Sequence, residues 1–265
     1  MNADSRPRLR GKTRPAAAFA ALGESGLRRV DHSVATLFER DEVEDVHALR
    51  VAVRHLRAVL WIFGPLLPQG IAQRWTHDLR ALADTAGDVR DWDVFLAETL
   101  QPALECQPGD SLLHALIDTA RTRRRRAREA MLARLDQYRG DALPALHRDV
   151  AHLPVHTDDG TGCLAPFARK RVRKARKTLR RRSDAARHDG LRALHRQRIA
   201  GKRLRYAIEA LAPVLPAHKT KRLLHKLVRR QGKLGNVVDD SVARRLMSEC
   251  LGVPQQEQVA APDAG

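Results

Sequence analysis

Apolar residues recur every three to four positions along almost the whole chain, and strict alternation of apolar with polar residues is sustained nowhere. A 3.6-residue period is that of a helix with one buried face, whereas a half-buried strand needs period two. Leu49, Val53, Leu56 and Leu60 show the helical pattern, as do Leu112 with Leu116 and Met131 with Leu135. The chain is therefore expected to be all-α. Prolines 65, 68, 108, 144, 154, 213 and 216 fall between periodic stretches, where a residue without an N–H starts or stops helices. Reading between these marks predicts helices over about 16–40 with a break at Gly23–Gly26, then 42–64, 69–85, 88–104, 110–139, 164–187, 191–212 and 217–249.

An internal repeat constrains the arrangement further. Shifted by 148 positions, VHALRVAVRHLRAVLWIFGPLLP (46–68) lies on LHRQRIAGKRLRYAIEALAPVLP (194–216) with 8 identities in 23, among them His47/His195, Arg50/Arg198 and Arg57/Arg205. Arg54 faces Lys202. A shift of 145 sets LADTAGDVRDWDV (82–94) on LVRRQGKLGNVVD (227–239), matching Leu82/Leu227 and Gly87/Gly232, with Asp91 opposite Asn236. The predicted architecture is two pseudo-symmetric helical bundles: repeat one about 16–151, a Pro-, Gly- and Asp-rich connector 152–166, and repeat two about 167–251. Residues 1–15 read as a disordered basic tail and 252–265 as a second disordered tail.

Charge decides what such a chain binds. It carries 49 Lys plus Arg against 31 Asp plus Glu, a net +18. A field of that sign concentrates polyanions at the surface and makes cationic or neutral apolar partners poor candidates. Only 9 of the 49 are Lys, and Arg is the better phosphate clamp because its planar fork donates two parallel hydrogen bonds. On a helix turning about 100° per residue, His47, Arg50, Arg54 and Arg57 fall in a stripe roughly 80° wide beside an apolar face. His195, Arg198, Lys202 and Arg205 do the same. Like charges stacked at this spacing repel by a few tenths of a kcal/mol per pair, and an anion would relieve them. A solvated face, or neutralisation by acids such as Asp91 and Asp93, is the alternative for either stripe alone; its recurrence in both halves favours the anion.

Two further basic runs, RTRRRRAR (121–128) and RKRVRKARKTLRRR (169–182), supply secondary cationic helices through Arg121, Arg124, Arg125, Arg128, Arg173, Lys174 and Lys177. Aromatic residues make up only 4% of the chain, too few for a platform on which single-stranded bases stack. A polyanion without bases is the better fit, and nucleic acid is expected to bind weakly or non-specifically. The sequence has no apolar run approaching the roughly 18 residues of a membrane span, and Cys106, Cys163 and Cys250 lie far apart without a CxxC pair. A reduced cytoplasmic compartment and no membrane contact are expected.

The segments VHALRVAVRHLRA, LADTAGDVRDWDVF and LHRQRIAGKRLRYAIE closely resemble the three signatures of the CHAD domains, the conserved histidine α-helical domain proteins. The resemblance covers about residues 19–250. It implies two pseudo-symmetric helical bundles around a basic central channel, binding of inorganic polyphosphate, and association with polyphosphate granules and their other proteins. It also implies polyphosphate-contacting roles for His47, Arg50, Arg54, His55, Arg57, His195, Arg198, Lys202, Arg203 and Arg205, although His55 stands where the first signature commonly carries Arg and Asn236 replaces a family-like Asp. No catalytic motif, no cofactor and no metal site is expected. A divalent-metal-dependent phosphohydrolase using Asp84, Asp88, Asp91 and Asp93 is the enzymatic alternative. Those acids are read first as groups that orient nearby arginines or cap a helix beginning after Gly87, and His152 with His156 is a weak zinc pair because Pro154 separates them. If His47 and His195 touch phosphate, binding is expected to tighten as pH falls from about 8 to 6.

Overall fold

Pro15 opens the first helix, α1 (Pro15–Glu39), at a position whose N–H has no intrahelical partner. Phe19, Leu27, Val30, Val34 and Leu37 form its buried stripe. The break expected at Gly23–Gly26 does not occur. Those glycines instead bring helices together: a Cβ on Gly26 would lie 2.8 Å from Leu56 Cδ1, and one on Gly23 would lie 3.1 Å from Val150 Cγ2. The computed structural model describes residues 7–152, 162–186 and 190–252, the side chains at 190–192 and 230–240 excepted. Residues 1–6 and 253–265, the greater part of the connector, His156 and the side chain of Asn236 lie outside the described residues. Residues 7–14, read from the sequence as part of a disordered tail, are instead packed: Leu9 is buried, and the Gly11 and Thr13 carbonyls accept from the N–H groups of Ala165 and Leu164.

Eight further helices follow among the described residues: α2 (Val43–Phe63), α3 (Gln69–Phe95), α4 (Gln101–Cys106), α5 (Ser111–Gly140), α6 (Ala142–His152), α7 (Leu164–Ala185), α8 (Gly190–Leu211) and α9 (Ala217–Leu251). No strand occurs among them, so the fold is all-α. Three boundaries differ from the sequence reading. α3 runs unbroken through Gly87, where a Cβ would lie 3.3 Å from Arg50 Nη1, so this glycine makes room for an arginine instead of ending a helix. A π-helical turn, Leu96–Leu100, joins α3 to α4. α6 was not anticipated, because Pro144 read as a stop; it sits in the first turn, where the missing N–H is no loss.

Local structure repeats at the 148-residue offset. α2 and α8 end at Phe63 and Leu211, each runs into a 3₁₀ turn (Gly64–Leu66 and Ala212–Val214), and a long helix follows Pro68 and Pro216. The halves nevertheless share a core. Phe19 packs against Phe63 and Trp75 in the first half, and Phe63 stacks on Phe167 of α7 at 5.3 Å between centroids. Leu164, Ala168, Ala207 and Leu211 join the same cluster. A smaller cluster of Ala175, Leu204, Ile208 and Leu227 binds α7, α8 and α9 to each other. Leu246, near the end of α9, packs with Trp92, Phe95, Leu116 and Ile117, returning the chain to α3 and α5. Each large side chain fully buried here contributes roughly 1.5–3 kcal/mol, and together they hold α2 and α8 side by side.

Candidate functional site

Apolar packing on one side of α2 and α8 leaves their cationic stripes along the junction between them. His47 and Arg57 are exposed on α2, with Arg50 and Arg54 half-buried between them. On α8, His195 and Arg203 are exposed, while Arg198, Lys202 and Arg205 are half-buried. The stripes converge. Burial, followed by the charges of Arg198, Arg54, Arg205 and Arg50, pushes the Lys202 ammonium down to about 8. Two of those four arginines belong to the opposite helix. Burial and the nearby Arg57 likewise lower Arg203, so the facing continues toward the Arg57 end.

At the other end of the seam, burial and the charges of Arg90, Arg54 and Arg50 hold His47 below the usual imidazole range, with Glu44 opposing. Neutral His47 is therefore favoured near pH 7, and the acid-side titration expected from His47 is displaced toward lower pH. Arg50 is lowered chiefly by burial; Asp91 counters this, then Arg90 and Arg54 add to it, and Asp84 weakly opposes. Arg54 Nε and Arg205 Nε are both buried without a hydrogen-bond partner, so each helix leaves one strong donor in the seam unsatisfied.

An aromatic residue organises this crowd of like charge. The Tyr206 ring carries the Arg54 guanidinium 5.1 Å and the Arg205 guanidinium 4.7 Å from its centroid. Arg205 Nη2 donates to the Tyr206 hydroxyl at 2.9 Å, and His55 meets the ring edge-on at 6.2 Å. A π face attracts cations without neutralising them. Tyr206 thus holds an arginine from each half in place with its charge intact. Sequence reading missed Tyr206, although it adjoins Arg205 in a chain poor in aromatics, and it missed Arg90, which lies outside the repeated stripes.

The secondary cations divide. Arg124 donates from Nη1 and Nη2 to Asp41 at 2.9 and 2.8 Å, and from Nε to Asp93 at 2.7 Å. Arg128 Nη2 donates to the carbonyls of Leu37 and Arg40, both at 2.9 Å, and its Nε lies 2.9 Å from Asp41. The pairing holds Asp41 below the ordinary carboxylate range, first through the Arg124 hydrogen bond. Arg124 and Arg128 therefore fasten α5 to the α1–α2 junction and to α3, a correction to their reading as a polyanion surface. Arg121 is exposed 3.6 Å from Asp118, and Arg125 is exposed with Thr122 as its side-chain partner. Arg173, Lys174 and Lys177 are exposed on α7.

The four acids do not converge. Asp84 faces Arg80 at 3.7 Å, Asp91 takes Arg245 at 3.3 Å, and Asp93 turns into the α3–α5 interface, where burial raises its pKa against the pull of Arg124. Asp88 lines a cleft of ≈ 340 Å³ with Trp92, Arg123, Arg126 and Arg245. Among the described residues no group of three His, Cys, Asp or Glu side chains gathers as a metal site. Asp84, Asp91 and Asp93 thus each sit on an arginine, and since α3 is continuous none caps a helix after Gly87. His152 Nδ1 meets the Arg148 carbonyl at 3.0 Å, a helix-end contact.

A family model described as CHAD domain matches residues 21–248. Among solved structures, the chain is similar to the CHAD domain from the plant Ricinus communis, at 27% identity and a TM-score of 0.72 over 97% of this chain and 85% of that one. It also shares its fold with PptA from Streptomyces chartreusis, at 17% identity and a TM-score of 0.65 over 92% and 88% of the two chains. No curated protein matches it. Among the described residues no helix is long and apolar enough to cross a membrane.

Proposed function

Because the chain belongs to the CHAD domain family, we propose that it binds inorganic polyphosphate, without turning it over, along the cationic seam between α2 and α8. The observation that carries this reading is Lys202, set among Arg198 and Arg205 of its own helix and Arg54 and Arg50 of the facing one. Cations held this close by apolar packing gain most from a ligand with closely spaced negative charge and no bulky substituents. Phosphates in a linear chain supply that, and each can accept paired donors from guanidinium forks. Tyr206, Gly87 and the shared aromatic core preorganise the seam, which lowers the cost of ordering side chains on binding. The same reading places the protein in the cytoplasm on polyphosphate granules, with granule proteins as neighbours.

Competition at matched phosphate concentration tests this. Polyphosphate is expected to displace labelled duplex DNA from the protein, and duplex DNA to leave bound polyphosphate in place. The reverse order of displacement overturns the reading in favour of a nucleic-acid-binding protein. Phosphate release on adding Mg²⁺ or Mn²⁺ to a polyphosphate complex contradicts the non-catalytic part of it. A fluorescent fusion that stays diffuse in granule-containing cells contradicts the localisation.

A further inference from the structure

The helix α7 presents a second cationic surface that the seam does not use. Nine Lys and Arg residues between Arg169 and Arg182 are exposed, and the buried residues Leu164, Phe167, Ala168, Arg171 and Ala175 occupy the opposite face. At 1.5 Å per residue the exposed cations form a ridge about 20 Å long. Among the described residues no carboxylate pairs with Arg169, Lys170, Arg173, Lys174, Lys177 or Arg181, in contrast to Arg124 and Arg128 on α5. Stacked like charges with nothing between them weaken a helix, so the ridge is maintained at a cost in helix stability.

Its attachment is rigid. Arg171, the one basic residue of the run on the inward face, lies with its guanidinium 4.8 Å from the Trp61 ring centroid and donates through Nη2 to the Trp61 carbonyl. Trp61 follows Arg57 by one turn on α2, so α7 is pinned where the α2 stripe ends, with its other cations turned outward. Phe167 inserts into the aromatic core two positions from the first ridge residue. The surface is therefore a fixed rod, not a loose basic tail.

We infer that the outer face of α7 is a second polyphosphate-binding surface, so that one protein molecule holds two segments of a long chain, or of two chains, at once. The inference rests on the seam reading above and adds a bridging role to it. A seam alone binds one segment; two surfaces facing different ways make the protein a cross-link. Linked engagement of two surfaces raises apparent affinity for long chains beyond that for short ones without altering either site.

The full-length protein with Lys170→Gln, Arg173→Gln, Lys174→Gln and Lys177→Gln tests it, its fold checked by circular dichroism. Tripolyphosphate is expected to bind this variant as it binds the parent, since it fills only the seam. With long-chain polyphosphate, the parent is expected to give assemblies visible by light scattering, and the variant to give none. The slope of log affinity against log salt for the long chain should fall by about 3 on losing four phosphate-facing charges. Equal scattering and equal salt slopes in the two proteins overturn the proposal, as does a ridge that binds duplex DNA in preference to polyphosphate. If the parent fails to bind tripolyphosphate, the seam reading fails instead, and the two failures are distinguishable. Lysine acylation of the unmodified protein gives a mutation-free check: long-chain polyphosphate should protect Lys170, Lys174 and Lys177, and unprotected lysines there refute the surface.

Discussion

Two basic runs that look alike in sequence do different work in the fold. In α5, RTRRRRAR places Arg124 and Arg128 against Asp41, and Arg124 against Asp93 as well, where they become fasteners. In α7, RKRVRKARKTLRRR turns only Arg171 of its ten basic residues inward and leaves the other nine exposed without acidic partners among the described residues. The difference lies in what the rest of the chain brings to each helix. Asp41 is 83 positions from Arg124 and Asp93 is 31 positions away, so local charge density could not distinguish a neutralised run from a free one.

Substitution at Arg124 separates the two helices most sharply. Its side chain is 13% exposed and that of Asp93 only 1%, so Arg124→Ala strands a buried carboxylate. It should lower unfolding free energy by about 3 kcal/mol. The matching change in α7, Arg173→Ala, should stay within about 0.5 kcal/mol. Denaturant titration of both variants checks this, and equal losses break the contrast.

Tyr206 sharpens it from the side of the seam, where Arg205 has one long contact, 3.5 Å, to the partly exposed Glu209 in place of the buried carboxylate that fastens Arg124 in α5. Tyr206→Leu removes the ring from Arg54 and Arg205 and should weaken polyphosphate binding about tenfold, equivalent to about 1.4 kcal/mol. Tyr206→Phe keeps the ring and loses only the Arg205 hydrogen bond, so its loss should be smaller. Binding titrations that rank the two variants the other way contradict the clamp.

The pH response follows from Lys202, which titrates at about 8 in the free protein. A bound polyanion stabilises the ammonium and raises that value, so binding takes up a proton above pH 8. Affinity should therefore decline as pH rises past about 8, by no more than tenfold per unit, and Lys202→Met should flatten the decline. Folding has the opposite sign: the unfolded lysine holds its proton to about 10.4, so this residue makes stability rise between about pH 8 and 10.4. The smallest expected effect belongs to the exposed Asp84–Arg80 pair, where Asp84→Asn should move the melting midpoint barely at all.

What was legible in the sequence was whatever repeats at short range. The 3.6-residue period gave the helices, and the matched spacing of Arg50, Arg54 and Arg57 with Arg198, Lys202 and Arg205 pointed to one shared surface. Gly23, Gly26 and Gly87 misled because a glycine that admits a neighbouring helix or an arginine has the same local signature as one that ends a helix. Pro144 hid α6 because tolerance of proline depends on its place in the first turn. Tyr206 escaped notice because its partner Arg54 lies in the other half of the chain.

The central claim is that α2 and α8 build one site together. Calorimetry with tripolyphosphate on Arg54→Gln, on Lys202→Gln and on the double variant tests it most directly, because neighbouring side chains at one site give non-additive losses. The account predicts unchanged stoichiometry, a fall in affinity of about tenfold or more for each single variant, and a double variant weaker than either by less than the product of the two losses. Halved stoichiometry with unchanged affinity in each single variant contradicts it, for that is the behaviour of two independent sites.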